Sequence, residues 1–177
     1  MNQAEQDLVV LTAQNGNDRA FGLLFRSYHK SLLGFAIKLS NDRELSNDAV
    51  QEAWIKIAKN IRQLKDPRAF RSWIYRLVRW KVMDLLRKRS REGDQLEQLN
   101  EEIISGLVEN KTDEDQTLSI SLARLPNVEK QIIHLFYLDE MKIAEISTVL
   151  EIPAGTVKSR LNRARQMLKQ RYQRLEN

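Results

Sequence analysis

One proline does most to restrict what the C-terminal third of this chain can fold into. Pro153 divides residues 142–165 into two stretches, each with apolar residues at helical spacing. Before it, Ile143, Ala144, Ile146 and Leu150 share one stripe; after it, Val157, Leu161, Ala164 and Leu168 share another. Proline lacks the backbone donor and pushes the preceding residue out of the helical region, yet it suits the first turn of a new helix. Ile152 therefore closes one helix, Pro153 opens the next, and the pair reads as two helices about a tight turn. Thr156 lies in the first turn of the second helix, and Lys158, Ser159, Arg160, Asn162, Arg163 and Arg165 fall largely off its apolar stripe. Such side chains donate to phosphates and base edges, so the segment has the pattern of a helix-turn-helix with a cationic recognition helix. A packing helix with a solvated basic face is the plainer reading, and the proline between two matched stripes argues against it.

Composition narrows the rest. The 177 residues are 42% apolar, enough for one ordinary domain or two small ones. There is no cysteine, which excludes disulfides and thiolate metal sites, and the two histidines, His29 and His134, are too far apart in sequence to suggest a metal site. No metal or cofactor is expected. With no secretory pattern near Met1 and no run of eighteen apolar residues, neither export nor membrane insertion is expected, and the cytoplasm is the expected location. Helical periodicity is the recurring pattern, so the expected fold is all-α.

The charge is arranged in blocks beneath a net +5. Residues 62–91 hold eleven Lys and Arg against two Asp and Glu, and residues 142–174 hold eight against two. Between them the sign reverses: residues 92–116 hold nine acids and one base, Lys111. Two cationic regions joined by an anionic connector suggest two modules that face nucleic acid. The connector contains Leu96, Leu99, Ile103, Ile104, Leu107 and Val108, which could form a short helix within a semi-ordered linker. Fully extended, about 25 residues span roughly 80 Å, against about 70 Å for two turns of DNA. The expected division is a helical domain over 1–91, the linker over 92–116 and a helix-turn-helix domain over 117–177.

In the first domain the apolar spacing predicts a short helix over residues 7–15, ended near Gly16, with Asp18 capping a long second helix towards Ser40. Its aromatics, Phe21, Phe25, Tyr28 and Phe35, read as core. A third helix carries Ala49, Val50, Ala53, Trp54, Ile57 and Ile61 inward and Asp48, Gln51 and Glu52 outward; spacing alone leaves that polar edge as either a solvated face or a docking surface. The fourth begins near Pro67. Phe70, Trp73, Ile74, Leu77, Val78, Met83, Leu85 and Leu86 bind it to a core, while eight cations between Arg68 and Arg89 crowd the remainder. Trp73, Tyr75 and Trp80 lie among those cations; any one of them alone reads as core, whereas the three together suit stacking on unpaired bases.

Three segments resemble the bacterial sigma factors of the extracytoplasmic-function group: residues 48–58, DAVQEAWIKIA; residues 70–89, FRSWIYRLVRWKVMDLLRKR; and Leu125 and Pro126 through Arg165. The likeness runs over nearly the whole chain. It implies a subunit that binds core RNA polymerase and promoter DNA, recognising an upstream and a start-proximal element and assisting strand opening. Asp48, Gln51 and Glu52 match the helix that docks on the polymerase clamp. Lys65 and Asp66 lie in the segment that matches the loop holding a flipped base, and Trp73, Arg76, Trp80 and Asp84 lie where the family contacts the opening strand. Thr156, Lys158, Ser159, Arg160, Asn162 and Arg163 match the upstream-element helix. Trp80 departs from the family pattern, where asparagine is common; an indole stacks but offers one donor. Leu122, Leu125, Val128, Ile132, Ile133, Leu135 and Phe136 are expected to support the helix-turn-helix from helices of which the second starts at Pro126, with no special role for His134 or Tyr137. With the acidic connector, the resemblance also suggests a chain that is compact when free or held by an anti-sigma partner.

No phosphate-binding glycine loop, nucleophile paired with histidine or carboxylate cluster of metal-ligand spacing is present, so no bond chemistry is expected. A stand-alone helix-turn-helix regulator with an N-terminal sensor or dimerisation domain is the alternative; it leaves the cationic, aromatic-laced stretch at 68–89 unexplained. A helical adaptor for acidic proteins or RNA would leave the proline-broken motif unexplained.

Overall fold

The computed structural model describes residues 2–91, 122 and 124–175, with side chains as far as Gln170. All regular elements among the described residues are helical: α1 (Gln3–Gln14), α2 (Asp18–Ser40), α3 (Arg43–Asn60), α4 (Phe70–Arg91), α5 (Asn127–Ile133), α6 (Ile143–Leu150) and α7 (Ala154–Leu175). The expected linker over 92–116 lies outside the described residues.

Side-chain caps fix where these helices begin. Asn2 Oδ1 accepts from the Glu5 N–H and Glu5 Oε2 from the Asn2 N–H, both at 2.9 Å, a reciprocal capping box that starts α1 earlier than its apolar spacing suggests. Asn17, not Asp18, caps α2, accepting from Ala20 N at 3.0 Å; Asp18 is instead the first helical residue, where its charge complements the helix dipole. Between them Gly16 takes φ +87°, and a Cβ there would stand 3.0 Å from Arg62 Nη2. Asn41 ends α2 in the left-handed region at φ 54°, and Asp42 caps α3 through Leu45 N. The Ser40 and Ser46 hydroxyls lie 2.8 Å apart in this corner, and Arg89 of α4 pairs with Asp42. Burial alone would raise the Asp42 carboxyl, but hydrogen bonds from Arg89 and from the Leu45 and Glu44 N–H groups outweigh it and hold the group below its ordinary value.

Two 3-10 turns, Ile61–Gln63 and Pro67–Ala69, connect α3 to α4. Gln14 Nε2 donates to the Ile61 and Leu64 carbonyls at 2.8 and 2.7 Å, which fastens this connection to α1. Inside the four-helix block, Val10, Leu24, Leu32, Phe35, Ala53, Ile57, Phe70, Ile74 and Val78 are sealed from solvent. Phe25 departs from expectation: it is 38% exposed, at the rim, stacked on His29 and tilted against Trp54. Tyr75 departs in the opposite direction. It is 1% exposed and packs on Phe35 with ring centroids 5.4 Å apart, so it belongs to the core and offers no face to unpaired bases.

In the C-terminal block, α5 widens into a π-helical turn, His134–Leu138. Ile132, Leu135, Ile146, Val149, Val157, Leu161 and Ala164 bury the facing stripes of α5, α6 and α7. The turn at Pro153 forms as its sequence requires: α6 ends at Leu150, Glu151 takes φ 58°, and Val157 N bonds back to Pro153 O.

The blocks are not separate. α4 packs along α6 and α2 against α5, so one apolar cluster runs through both. At this seam the Phe35 and His134 rings lie 5.7 Å apart, and Arg71 donates to the Asp139 carbonyl. Arg79 Nε reaches Gln131 Oε1 at 3.2 Å, Trp80 Nε1 reaches Glu151 Oε2 at 3.0 Å, and His134 Nε2 lies 3.2 Å from Asp139 Oδ2. Desolvation, reinforced by the Asp139 charge, pushes the Tyr75 phenol far above its ordinary value. His134, at 9% exposure, is packed at the junction of the two blocks.

Candidate nucleic-acid interface

α7 presents its cations because its apolar residues are used inward. Val157, Leu161 and Ala164 are buried, Lys158, Ser159, Asn162, Arg163 and Arg165 are exposed, and Thr156 and Arg160 are partly exposed. Ser159 Oγ donates to Thr156 O at 3.0 Å. The six expected upstream residues thus share one helix and its outer faces. Three partners escaped the sequence reading. Tyr137, 51% exposed, accepts from Arg165 Nε at 2.7 Å, and that guanidinium lies over the Phe136 and Tyr137 rings at 5.4 and 5.6 Å. Glu129 faces Arg160 and Arg163 from below. Glu151 occupies the turn and accepts from Trp80. The sequence shows tyrosine and glutamate at these positions, but only packing decides what they meet.

On α4, Trp73, Arg76, Trp80 and Asp84 fall at helical offsets of three, four and four, and so line one side. Trp73 is half-buried against Phe70, with centroids 6.1 Å apart, while Trp80 is 51% exposed. Asp84 pairs with Lys88 at 3.1 Å, whose hydrogen bond holds the carboxyl below its usual value. Lys65 is exposed. Asp66 caps the Pro67–Ala69 turn and receives the Arg68 fork, Nε and Nη2 each at 3.0 Å. Those hydrogen bonds keep the Asp66 carboxyl ionised to lower pH than usual. The start-proximal candidates therefore lie on one helix and the loop that leads into it, with Trp80 already engaged across the seam.

Asp48, Gln51 and Glu52 are exposed on one edge of α3. Glu52 pairs with Lys81 at 2.6 Å, beside a shallow groove lined by Ile55, Lys56 and Lys59. Ile55 is 51% exposed, an apolar residue within this polar edge. No group of three or more acids and histidines that could hold a metal occurs among the described residues, and none of their helices is long and apolar enough to cross a membrane.

Comparison with known proteins finds two matched regions. The family model of sigma-70 region 2 matches residues 24–92, from within α2 through α4, and that of sigma-70 region 4 matches residues 121–168, which include the helix-turn-helix. Together they span more than half of the chain. The chain is 28% identical over 191 residues to the ECF RNA polymerase sigma-E factor of Haemophilus influenzae, covering 98% of each. It is 26% identical to the RNA polymerase sigma-H factor of Pseudomonas aeruginosa, over 99% of this chain and 97% of that one. With the ECF RNA polymerase sigma factor SigW of Bacillus subtilis the identity is 26%, over 92% and 94%. Among solved structures the fold is shared with CnrH in complex with the cytosolic domain of CnrY, at TM-score 0.67, 24% identity and coverage of 93% and 94%. It is also shared with the sigma factor RpoE in complex with the anti-sigma factor NepR from Bartonella quintana, at TM-score 0.67, 21% identity and coverage of 86% and 96%. Two matched sigma-70 regions in chain order, on two helical blocks that each turn a cationic helix outward, make this chain a member of the sigma-70 family of transcription initiation factors, of the extracytoplasmic-function group.

Proposed function

We propose that this sigma factor divides its work among three units. Residues 1–91 dock on core polymerase and engage the start-proximal element, 92–116 link, and 117–177 read the upstream element. The observation that carries this reading is the pairing of two cation-studded helices, α4 and α7, each held by a buried apolar stripe within a matched sigma-70 region. Asp48, Gln51 and Glu52 meet the polymerase, with Ile55 adding apolar area beside them. Lys65, Asp66, Trp73, Arg76, Trp80 and Asp84 serve the opening strand. Thr156, Lys158, Ser159, Arg160, Asn162 and Arg163 enter the major groove. The protein acts through binding energy, performs no bond chemistry, and works in the cytoplasm where its polymerase and promoters are.

Free, the chain is compact and Trp80 is committed to Glu151, so polymerase has to part α4 from α6 before Trp80 can serve DNA. An anti-sigma partner that keeps the blocks together would hold the chain inactive; both fold neighbours above were solved with partners bound, one of them an anti-sigma factor. The test adds purified protein to core RNA polymerase and a promoter library and sequences the run-off transcripts. Specific initiation that weakens when Asp48, Gln51 and Glu52 are replaced by alanine is expected. Absence of both complex formation and specific initiation would refute the proposal.

A further inference from the structure

Glu129 lies in the first turn of α5 with its side chain 2% exposed, beneath the recognition helix. Its Oε1 is 3.7 Å from Arg160 Nη1 and 3.8 Å from Arg163 Nη1. The two arginines stand three residues apart on one face of α7, and one carboxylate oxygen serves both. At these lengths the pairing is Coulombic rather than a direct hydrogen bond. A carboxylate so deeply buried needs cations near it, because removing one side of a buried pair leaves an uncompensated charge. The two arginine side chains are 40% and 66% exposed. Each offers five N–H donors in a planar fork, so an inward edge can face Glu129 while an outward edge stays free.

From this geometry we propose that Glu129 is a positioning residue for upstream-element recognition. It holds the Arg160 and Arg163 forks in the orientation that reads base edges, and it neutralises part of their charge so that they discriminate more than they merely attract phosphate. The proposal rests on the reading of Arg160 and Arg163 as upstream-element contacts. A fork held from behind loses less freedom on docking, which favours base readout. A carboxylate beside two cations also weakens their sequence-independent attraction to phosphate.

The test uses holoenzyme reconstituted with the wild-type chain, E129Q, R160A, R163A and the two double variants. Each competes between promoters with the preferred and with a scrambled upstream element, over a salt series. E129Q is expected to lower the preference about tenfold and to steepen the log affinity against log salt slope by about 1, as the freed charge engages phosphate. Its effect on preference should largely vanish in the R160A or R163A background. A purely structural role would lower the melting temperature without moving the salt slope. Wild-type preference and slope in E129Q, with R160A or R163A impaired, overturns the role of Glu129 alone. Unchanged preference in R160A and R163A themselves overturns the reading of α7 and this proposal with it. If E129Q does not fold, E129D keeps the charge and retracts it by one methylene; it should keep the wild-type slope and lose part of the preference, and full wild-type preference overturns the proposal.

Discussion

Replacing Ile146 by alanine should destabilise the block that does not contain it as much as the block that does. Ile146 is fully buried in α6, the helix that packs on α4. Truncating a buried isoleucine to alanine costs about 2–5 kcal/mol, the spread depending on how far the surroundings collapse. Taking about 3 kcal/mol, and a urea dependence of about 2 kcal/mol per molar, the unfolding midpoint should fall by about 1.5 M. The assay follows from the placement of the indoles. Trp54, Trp73 and Trp80 are the chain's three tryptophans and all belong to the N-terminal block, so their fluorescence reports that block while far-ultraviolet circular dichroism reports every helix. Because one apolar cluster crosses the seam, both signals should shift together and stay coincident, as one cooperative unit requires. A fluorescence transition that stays at the wild-type midpoint, with the circular dichroism curve split in two, would refute the reasoning that the blocks melt as one.

Other outcomes are equally definite. W80F keeps a ring on α4 but removes the donor to Glu151; so exposed a bond is worth under about 1 kcal/mol, so the open population should rise less than about fivefold, read by energy transfer between dyes on α3 and α7. D42N weakens the bond from Arg89. Because the Asp42 carboxyl lies below its ordinary value in the folded chain, its contribution is complete above pH about 4 and lost as pH falls through the lower folded value. The stability difference between wild type and D42N, measured by urea unfolding, should therefore shrink below pH about 4. R160A or R163A should cost roughly 1–3 kcal/mol at the preferred upstream element and relax preference there if the arginine meets a base; equal weakening on all sequences would make it a phosphate contact.

Much of this architecture was legible because it depends on local rules. The stripe of Val157, Leu161 and Ala164, the break at Pro153 and the helix start near Pro67 follow from periodicity and proline geometry, and each is where the sequence places it. Caps were less legible. Asn17 and Asp18 are adjacent residues with similar side-chain oxygens, and only the backbone turn decides which one caps. Aromatic roles in α4 were legible in part: Trp73 and Trp80 keep an exposed or half-exposed face, whereas Tyr75 turns inward because it shares the side of Arg71 and Arg79 that meets the second block. The seam was not legible, since it joins residues such as Phe35 and His134 that lie far apart in sequence. Glu129 was hidden for the same reason. An acid in the first turn of a helix has a sufficient local explanation in the dipole, and its burial is set by α7, thirty residues on.

Glu151 is worth considering from the standpoint of someone engineering this protein for heat resistance. At φ 58° it occupies a conformation that glycine adopts without strain, so a stabilisation scheme guided by backbone geometry would introduce E151G and expect a gain of up to about 1 kcal/mol in the turn. The same substitution deletes the carboxylate that accepts the Trp80 indole N–H. The variant should therefore have a better formed corner in the DNA-reading block and a weaker hold on α4. At this position the ease of the turn and the hold between the two blocks pull in opposite directions, and the native residue favours the hold.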